Sequence, residues 1–227
     1  MARILAIGPH PDDVEIAMGG TVCWLRAQGH EVTLCDLTDG EPTPLGTPER
    51  RAAEAAEAAR RLGVPRRLTL TLPNRYLEHT LEARTMVAEV IREVRPDALF
   101  VPYWTDAHPD HVAACALAEA ARFAAKLTRT AMRGEPHYPR RVYHFFSTHY
   151  RLHVKPSFIV DISDYIDTKI ASIAAYESQF GDERGTAWII DAIREENAYW
   201  GRLIHRRYGE AFLCREEIGI TRWDGLI

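Results

Sequence analysis

The segment Arg3–Thr21, RILAIGPHPDDVEIAMGGT, decides the fold of the chain because it predicts a strand, a polar turn and then a helix. Arg3–Gly8 is an apolar run typical of a buried strand, and a helix is predicted from about Ala17 to Gln28, ended by Gly29. The turn between them crowds a histidine, two aspartates and a glutamate into six residues. Such side chains are costly to bury unless a counter-charge pairs with them, so this turn is the first candidate for a functional site.

Alternating strands and helices continue along the chain. A strand at Glu31–Leu37 precedes a helix with Thr47 as N-cap, Pro48 in its first turn and Gly63 at its end. The same patterns predict further strands at about Arg67–Leu72, Asp97–Tyr103, 141–147 and 157–163, and further helices at about Leu81–Val94, Pro109–Lys126, 164–180 and 187–209.

These repeated strand–helix units predict an α/β fold. Short links between strand and helix indicate a Rossmann-like, mostly parallel sheet flanked by helices, with right-handed crossovers. After residue 126 the pattern becomes less regular, which indicates a mixed β/α portion at the C-terminus. No linker, repeat or low-complexity segment interrupts the chain, so residues 1–227 are predicted to form a single domain.

Composition excludes several classes of protein. Of the 227 residues 46% are hydrophobic and 26% charged, and no apolar stretch approaches the length that crosses a bilayer. The N-terminus resembles a strand rather than a signal peptide, so a cytoplasmic location is expected. A net charge of −4 lacks the basic footprint of a nucleic-acid binder. The four cysteines form no CxxC pair, which argues against a zinc ribbon or a disulfide scaffold.

Two polar clusters are expected to meet at one opening of the sheet. PHPDDVE leaves the end of strand one, and TDAHPDH (105–111) leaves the end of strand four and opens the next helix. In the common strand order 3-2-1-4 these strands are neighbours, and ligands bind in the crevice outside their carboxyl ends. The fold therefore brings together motifs about a hundred residues apart in the sequence.

This arrangement predicts a metal site with an open position. His10, Asp13 and His111 supply two imidazoles and one carboxylate, a ligand set that suits a catalytic Zn²⁺. The ion would lower the pKa of a water molecule in the fourth position to about 7 and polarise a carbonyl. Asp12, adjacent to Asp13, is expected to take the proton of that water as a general base. A metal-dependent hydrolase is the leading hypothesis.

Further roles are predicted for the neighbouring side chains. His108, held by Asp110, is expected to stay protonated, so that it stabilises a tetrahedral oxyanion or protonates a leaving amine. Glu15 is expected to accept backbone N–H groups at the start of the helix. The other histidines have no such company and are assigned structural or surface roles: His30, His79, His137, His144, His149, His153 and His205.

Together, PHPDDVE and HPDH, with GTPERR between them and AYESQF and YWGRLIHRRYGEAF after them, resemble the LmbE-like (PIG-L-type) zinc-dependent deacetylases. That family removes acetyl groups from N-acetylglucosamine units, and the resemblance covers nearly the whole chain. It implies one zinc ion per subunit, with ferrous iron as the alternative. It also implies the roles already derived: metal ligands His10, Asp13 and His111, a general base Asp12, and a polarising pair His108 and Asp110.

The resemblance implies three more features. Arg51, in TPERR, aligns with the arginine of the family's TPExR segment and is expected to contact substrate. The substrate is expected to be a small glycoside, either GlcNAc-malate-like, as in the bacillithiol pathway, or chitobiose-like. TDGEP and LPNRYL replace the TRGE and LPDG of the bacillithiol-type subgroup, which leaves the aglycone open. Because family members are often homo-oligomers, hexamers among them, association of this chain is also expected.

Two other functions stay open. DAHPDH matches three of four positions of the HxHxDH motif of dinuclear metallo-β-lactamase-like hydrolases, although Asp106 stands where the first histidine belongs. Two ions about 3.5–4 Å apart would favour that class. A non-catalytic Rossmann-like binding module is the second alternative. The strand-one turn lacks GxGxxG, and its carboxylates would repel a pyrophosphate, so dinucleotide binding is disfavoured.

Overall fold

A computed structural model describes residues 1–219, and the last eight residues of the predicted domain, 220–227, lie outside this range. The strands are β1 (Arg3–Gly8), β2 (Glu31–Asp36), β3 (Arg66–Thr69), β4 (Ala98–Pro102), β5 (Arg141–Phe145), β6 (Phe158–Asp161) and β7 (Gly209–Leu213). The helices are α1 (Asp13–Ala27), α2 (Pro48–Arg61), α3 (Leu81–Val94), α4 (Pro109–Ala125), α5 (Ile166–Ile173), α6 (Glu177–Phe180) and α7 (Trp188–Leu203), with a short 3₁₀ turn at Asp182–Arg184.

The strands form one seven-stranded sheet in the order β3-β2-β1-β4-β5-β7-β6. Neighbours from β3 to β5 pair in parallel, and β7 pairs antiparallel with both β5 and β6. This confirms the predicted mostly parallel sheet and the 3-2-1-4 order of its first four strands. Alternate residues of β1 face opposite layers: Leu5 and Ile7 pack with α3 and α4, whereas Ile4 and Ala6 pack with α1.

The last strand, β7, was not predicted, and the helix assigned to 187–209 ends at Leu203. GEAFL is short and contains helix-forming residues, so its local sequence does not favour a strand. Its place is set by distant partners, since Phe212 lies opposite both Phe145 and Phe158. Long-range pairing of this kind leaves little trace in local periodicity.

The predicted helix at 164–180 is also interrupted. It divides into α5 and α6, and Tyr176 between them has φ −86° and ψ 66°, outside the helical region. Tyr176 is fully buried, and its hydroxyl donates to Oε1 of Glu15 at 2.9 Å. A tertiary contact therefore determines where the helix breaks.

Helix α1 begins at Asp13, four residues before the predicted start near Ala17. Met18 has φ −144° and ψ 20°, so the helix is kinked just after its first turns. Hydrophobic periodicity predicted only the longer part after the kink, because the first turns contain the acidic residues Asp13 and Glu15. The early start places these carboxylates directly above the end of β1.

The remaining expectations concern thiols and membranes. None of the four cysteines is paired, and Cys23, Cys35 and Cys115 are buried. Across residues 1–219, no helix combines the length and the apolar character needed to cross a bilayer.

Candidate metal centre

The site lies at the carboxyl ends of β1 and β4, which pair in parallel. His10 and Asp13 follow β1, and His111 lies in the first turn of α4 after β4. One donor atom from each of these three residues lies within 4.8 Å of the other two. The structure therefore brings the two distant motifs together as the fold argument required.

The carboxylate of Asp13 lies between the two imidazoles. Its Oδ2 is 3.2 Å from Nδ1 of His10, and its Oδ1 is 3.4 Å from Nε2 of His111. The hydroxyl of Ser147, just beyond β5, donates to Asp13 Oδ1 at 2.6 Å. These contacts hold Asp13 in place and turn one nitrogen of each imidazole towards the same point.

The outward nitrogen of each imidazole is also held. His10 Nε2 lies 3.1 Å from Oδ2 of Asp110. His111 Nδ1 donates to the Ser147 carbonyl at 2.8 Å, with Oδ2 of Asp106 2.7 Å from the same nitrogen. With the ring protons on these outer nitrogens, His10 Nδ1 and His111 Nε2 are available as metal ligands. Carboxylates or carbonyls behind ligating histidines are characteristic of metal sites, so the donor set fits a divalent transition metal.

The charges of the three candidate ligands are strongly coupled. Burial opposes a proton on His10, but hydrogen bonds to Asp110 and Asp13 raise the pKa of His10 to about 10. Burial likewise opposes the charge on His111, yet the Asp13 and Asp106 carboxylates raise its pKa. Burial alone would raise the pKa of Asp13, but the two imidazoles lower it by more and hold it below its usual range. Without a metal, protons on the imidazoles thus supply the positive charge that the carboxylates need.

Asp12 adopts a left-handed conformation, with φ 117°. Its side chain turns away from the metal-ligand candidates, and its Oδ2 accepts from Nη2 of Arg51 at 2.8 Å. Burial raises the pKa of Asp12 to about 7, although Arg51 opposes the rise. Adjacent Asp12 and Asp13 therefore differ in direction and in proton affinity, as separate roles require.

Arg51 lies behind Asp12. It is only 3% exposed, its Nη2 also donates to the Pro11 carbonyl at 2.6 Å, and its guanidinium carbon is 5.3 Å from the centroid of the Tyr176 ring. Within the described part of the chain, its Nε and Nη1 have no hydrogen-bond partner. The structure therefore gives Arg51 contacts with Asp12, Pro11 and Tyr176, while the predicted contact with substrate stays a prediction.

Among residues 1–219, no hydrogen bond joins the side chains of Asp110 and His108, although their donor atoms lie within 4.8 Å of each other. The Asp110 carboxylate contacts His10 instead, and it also accepts the backbone N–H groups of Arg75 at 2.7 Å and Leu77 at 3.2 Å. His108 Nδ1 accepts the backbone N–H of Asp110 at 3.2 Å. Burial and the nearby His10 charge lower the pKa of His108, which disfavours the protonated ring expected from the sequence.

Glu15 also differs from expectation. Its side chain contacts Arg67 Nη1 at 2.5 Å and accepts from Tyr176, rather than from helix N–H groups. Arg67 bonds Asp36 on β2 as well, at 2.6 Å from its Nε. Glu15 thus ties the first turn of α1 to the sheet beneath the site.

Sequence reasoning missed three side chains of the site: Asp106, Ser147 and His149. Asp106 stood in the quoted TDAHPDH motif but was considered only in the dinuclear alternative. Ser147 and His149 follow β5, the strand next to β4, so the rule that ligands bind at strand carboxyl ends was the available signal. His149, assigned a structural or surface role, has its ring centroid 5.1 Å from that of His111.

The chain is similar to known sugar deacetylases. A family model described as GlcNAc-PI de-N-acetylase (PIG-L) matches residues 5–122. The diacetylchitobiose deacetylase of Thermococcus kodakarensis is 33% identical over 226 residues, which cover 92% of this chain and 81% of the relative.

Two solved structures share the fold. The conserved protein TT1542 of Thermus thermophilus is 37% identical with a TM-score of 0.89, over 98% of this chain and 99% of that one. The N,N'-diacetylchitobiose deacetylase of Pyrococcus horikoshii, solved with its inhibitor MPG, is 30% identical with a TM-score of 0.81, over 93% and 82% of the two chains. The similarity therefore extends over both the sheet and the site.

Proposed function

We propose that this chain, which belongs to the GlcNAc-PI de-N-acetylase (PIG-L, LmbE-like) family, hydrolyses the acetamide of an N-acetylglucosamine unit in a small glycoside. One observation carries the proposal: donor atoms of His10, Asp13 and His111 lie close together, and the other ring nitrogen of each histidine contacts a carboxylate or carbonyl oxygen. The substrate is chitobiose-like or GlcNAc-malate-like, and the relatives named for diacetylchitobiose favour the former.

A divalent ion, zinc or alternatively ferrous iron, would be held by His10, Asp13 and His111. Such an ion supplies Lewis acidity, which makes water a nucleophile near neutral pH and polarises a carbonyl. Two imidazoles and one carboxylate leave a coordination position for solvent, as hydrolytic zinc sites do. One tightly held ion per chain would distinguish this function from the dinuclear alternative, in which two ions lie about 3.5–4 Å apart.

Asp12 is the proposed general base. Its carboxylate accepts the proton of the attacking water and returns it to the nitrogen that leaves as an amine. Three features support this role: a position beside Asp13, a raised pKa near 7, and a bond from Arg51 that fixes one oxygen. Arg51 therefore acts on the reaction through Asp12, by keeping the second oxygen directed away from the guanidinium.

His108 is the proposed hydrogen-bond donor to the amide oxygen. Because its Nδ1 accepts the backbone N–H of Asp110, the ring proton of the neutral form lies on Nε2. A neutral N–H donor stabilises negative charge as it develops on that oxygen. This assignment replaces the protonated His108 expected from the sequence.

The test combines metal analysis with an amine-release assay. Protein dialysed against metal-free buffer is analysed for bound metal, and primary amine is then measured with diacetylchitobiose, GlcNAc and GlcNAc-malate. Asp12→Ala should keep one metal equivalent and lose at least about 10²-fold in rate, because the proton acceptor is removed while His10, Asp13 and His111 remain. Asp164→Ala, at an exposed aspartate before α5, is the matched control and should behave like the wild type. Unchanged turnover in Asp12→Ala would defeat the assigned role.

A further inference from the structure

His149 is a histidine at the metal centre that the proposed mechanism does not use. It lies on the segment after β5, and its side chain is 57% exposed. Its ring centroid is 5.4 Å from that of His108 and 5.1 Å from that of His111. An imidazole in this position faces solvent on one side and the reaction site on the other.

Asp106 lies directly behind His149. Its buried carboxylate accepts the backbone N–H of His149 at 2.8 Å and that of His108 at 3.3 Å, both through Oδ1. His149 Nδ1 is 3.4 Å from the same oxygen. The backbone thus fixes one oxygen of Asp106 and brings the His149 ring against it.

The other oxygen of Asp106 is less well satisfied. Oδ2 lies 2.7 Å from His111 Nδ1, but that nitrogen donates to the Ser147 carbonyl, and no group among residues 1–219 gives Oδ2 a well-formed hydrogen bond. When His111 is a neutral metal ligand, its one outward N–H is turned to Ser147 and this buried anionic oxygen has no cationic partner, which favours a second cation there. One donor atom each from Asp106, His111 and His149 lies within 4.8 Å of the other two.

We propose that Asp106 and His149 form a second, outer site for a divalent transition metal, with His111 Nδ1 at its edge. One carboxylate and imidazole nitrogens are ligands that zinc favours. The outer site is weaker than the inner one, because His149 is exposed and because His111, with its Nε2 on the inner ion, can offer Nδ1 only after losing to solvent the proton that it donates to Ser147. Water completes the coordination.

Filling the outer site should inhibit the enzyme, an effect that rests on the proposed function. An ion bound to Asp106 and His149 stands beside His108, the proposed donor to the amide oxygen. It also competes for His111, whose Nε2 faces the inner site. Zinc therefore activates at one equivalent and inhibits in excess.

The experiment titrates metal-free protein with Zn²⁺ alone and follows binding by calorimetry and equilibrium dialysis. Wild type should bind one zinc tightly and a second more weakly, and His149→Ala should weaken the second event by at least about tenfold. His153→Ala, at another exposed histidine four residues along the same segment, is the control and should keep both. The rate of each protein with one zinc equivalent serves as its own reference. Excess zinc should inhibit wild type and His153→Ala but not His149→Ala.

Two results would overturn the proposal: a wild type that binds a single zinc, or a His149→Ala variant that retains the second with unchanged affinity. Persistent inhibition of His149→Ala by excess zinc would remove the inhibitory role. If no glycoside yields amine at any zinc concentration, the proposed function fails, yet the binding titration still decides whether the outer site exists.

Discussion

The structure contains two buried clusters of charged side chains, and they differ in whether the carboxylates are balanced by a lysine or arginine within the cluster. The first, here called the open cluster, consists of His10, Asp13, Asp106, Asp110 and His111. Among residues 1–219, its three carboxylates form ion pairs with histidines and with no lysine or arginine. The second, the closed pair, consists of Lys169 and Glu210, which are 2.6 Å apart and have fully buried side chains.

The closed pair satisfies its own groups. Glu210 accepts from Lys169 Nζ and also from the backbone N–H groups of Gly20 at 3.0 Å and Thr21 at 2.6 Å. These donors lie just after the kink at Met18, so the carboxylate caps the second part of α1. A cluster of this kind needs nothing from solution. The open cluster has more acidic groups than fixed positive ones, and this difference supports the proposal that a cation binds there.

The largest effect is expected from removing a carboxylate of the open cluster. Asp13→Ala should lose the tightly bound metal, and amine release should fall by more than about 10⁴-fold because Lewis acidity and water activation disappear together. Metal analysis and the amine assay measure both effects. Asp164→Ala is again the control, and circular dichroism verifies folding. Full metal content in Asp13→Ala would contradict the proposed ligand set.

All of the open cluster except Asp106 could be predicted from the sequence, whereas the closed pair could not. His10 and Asp13 stand in a compact motif at a strand end, and the topology rule placed His111 beside them. Lys169 lies within a helical pattern, where a lysine normally indicates a solvent-facing position. Glu210 lies on β7, a strand that only long-range pairing reveals. Sequence patterns identify residues that follow a local rule, and they miss those placed by distant partners.

The same distinction applies within the site. Asp110 was correctly placed beside the histidines, but which histidine it contacts depends on side-chain directions that spacing does not determine. Arg51 was singled out by resemblance alone, and its burial behind Asp12 follows from how α2 packs on the turn after β1. Motif spacing thus predicted which residues meet, and the structure was needed to show which atoms pair.

A smaller effect is expected from breaking the closed pair. Lys169→Met leaves the Glu210 carboxylate buried without its counter-charge, which should lower the free energy of unfolding by about 3–5 kcal/mol. Urea denaturation measures the loss. Metal content per folded molecule should stay at one tight equivalent, because no member of the open cluster is altered.

The double variant Lys169→Met, Glu210→Gln sharpens this test. Glutamine removes the buried charge while its carbonyl still accepts from Gly20 or Thr21, so part of the lost stability should return. No recovery would show that the pair acts through packing of the lysine stem rather than through charge. A loss of metal from the stable double variant would contradict the separation of the two clusters.

The smallest effect concerns pH, and it distinguishes the open cluster with metal from the same cluster without it. In the metal-free protein, the pKa of His10 is raised from its ordinary value of 6.5 to about 10. Its stabilising contribution is therefore complete below about pH 6.5 and is lost as the pH rises towards 10. Asp12 acts in the same direction at lower pH: burial raises its pKa from 3.8 to about 7, so its contribution is lost between these values and it adds slope only near the lower end of the range. Asp13, whose pKa is lowered, is ionised throughout this range and adds no slope.

The free energy of unfolding of the metal-free protein should consequently fall between pH 6.5 and 8.5. The fall is up to roughly 1.4 kcal/mol per pH unit for each proton that the folded protein keeps and the unfolded chain has released. The zinc-loaded protein should show a much flatter profile, since an ion that has displaced the histidine protons leaves none to be lost from them. Urea denaturation with chelator or with one zinc equivalent, repeated across this range, gives both curves. Parallel curves would mean that protons and metal do not compete for the same imidazoles, and His10 and His111 would then no longer qualify as ligands of one ion.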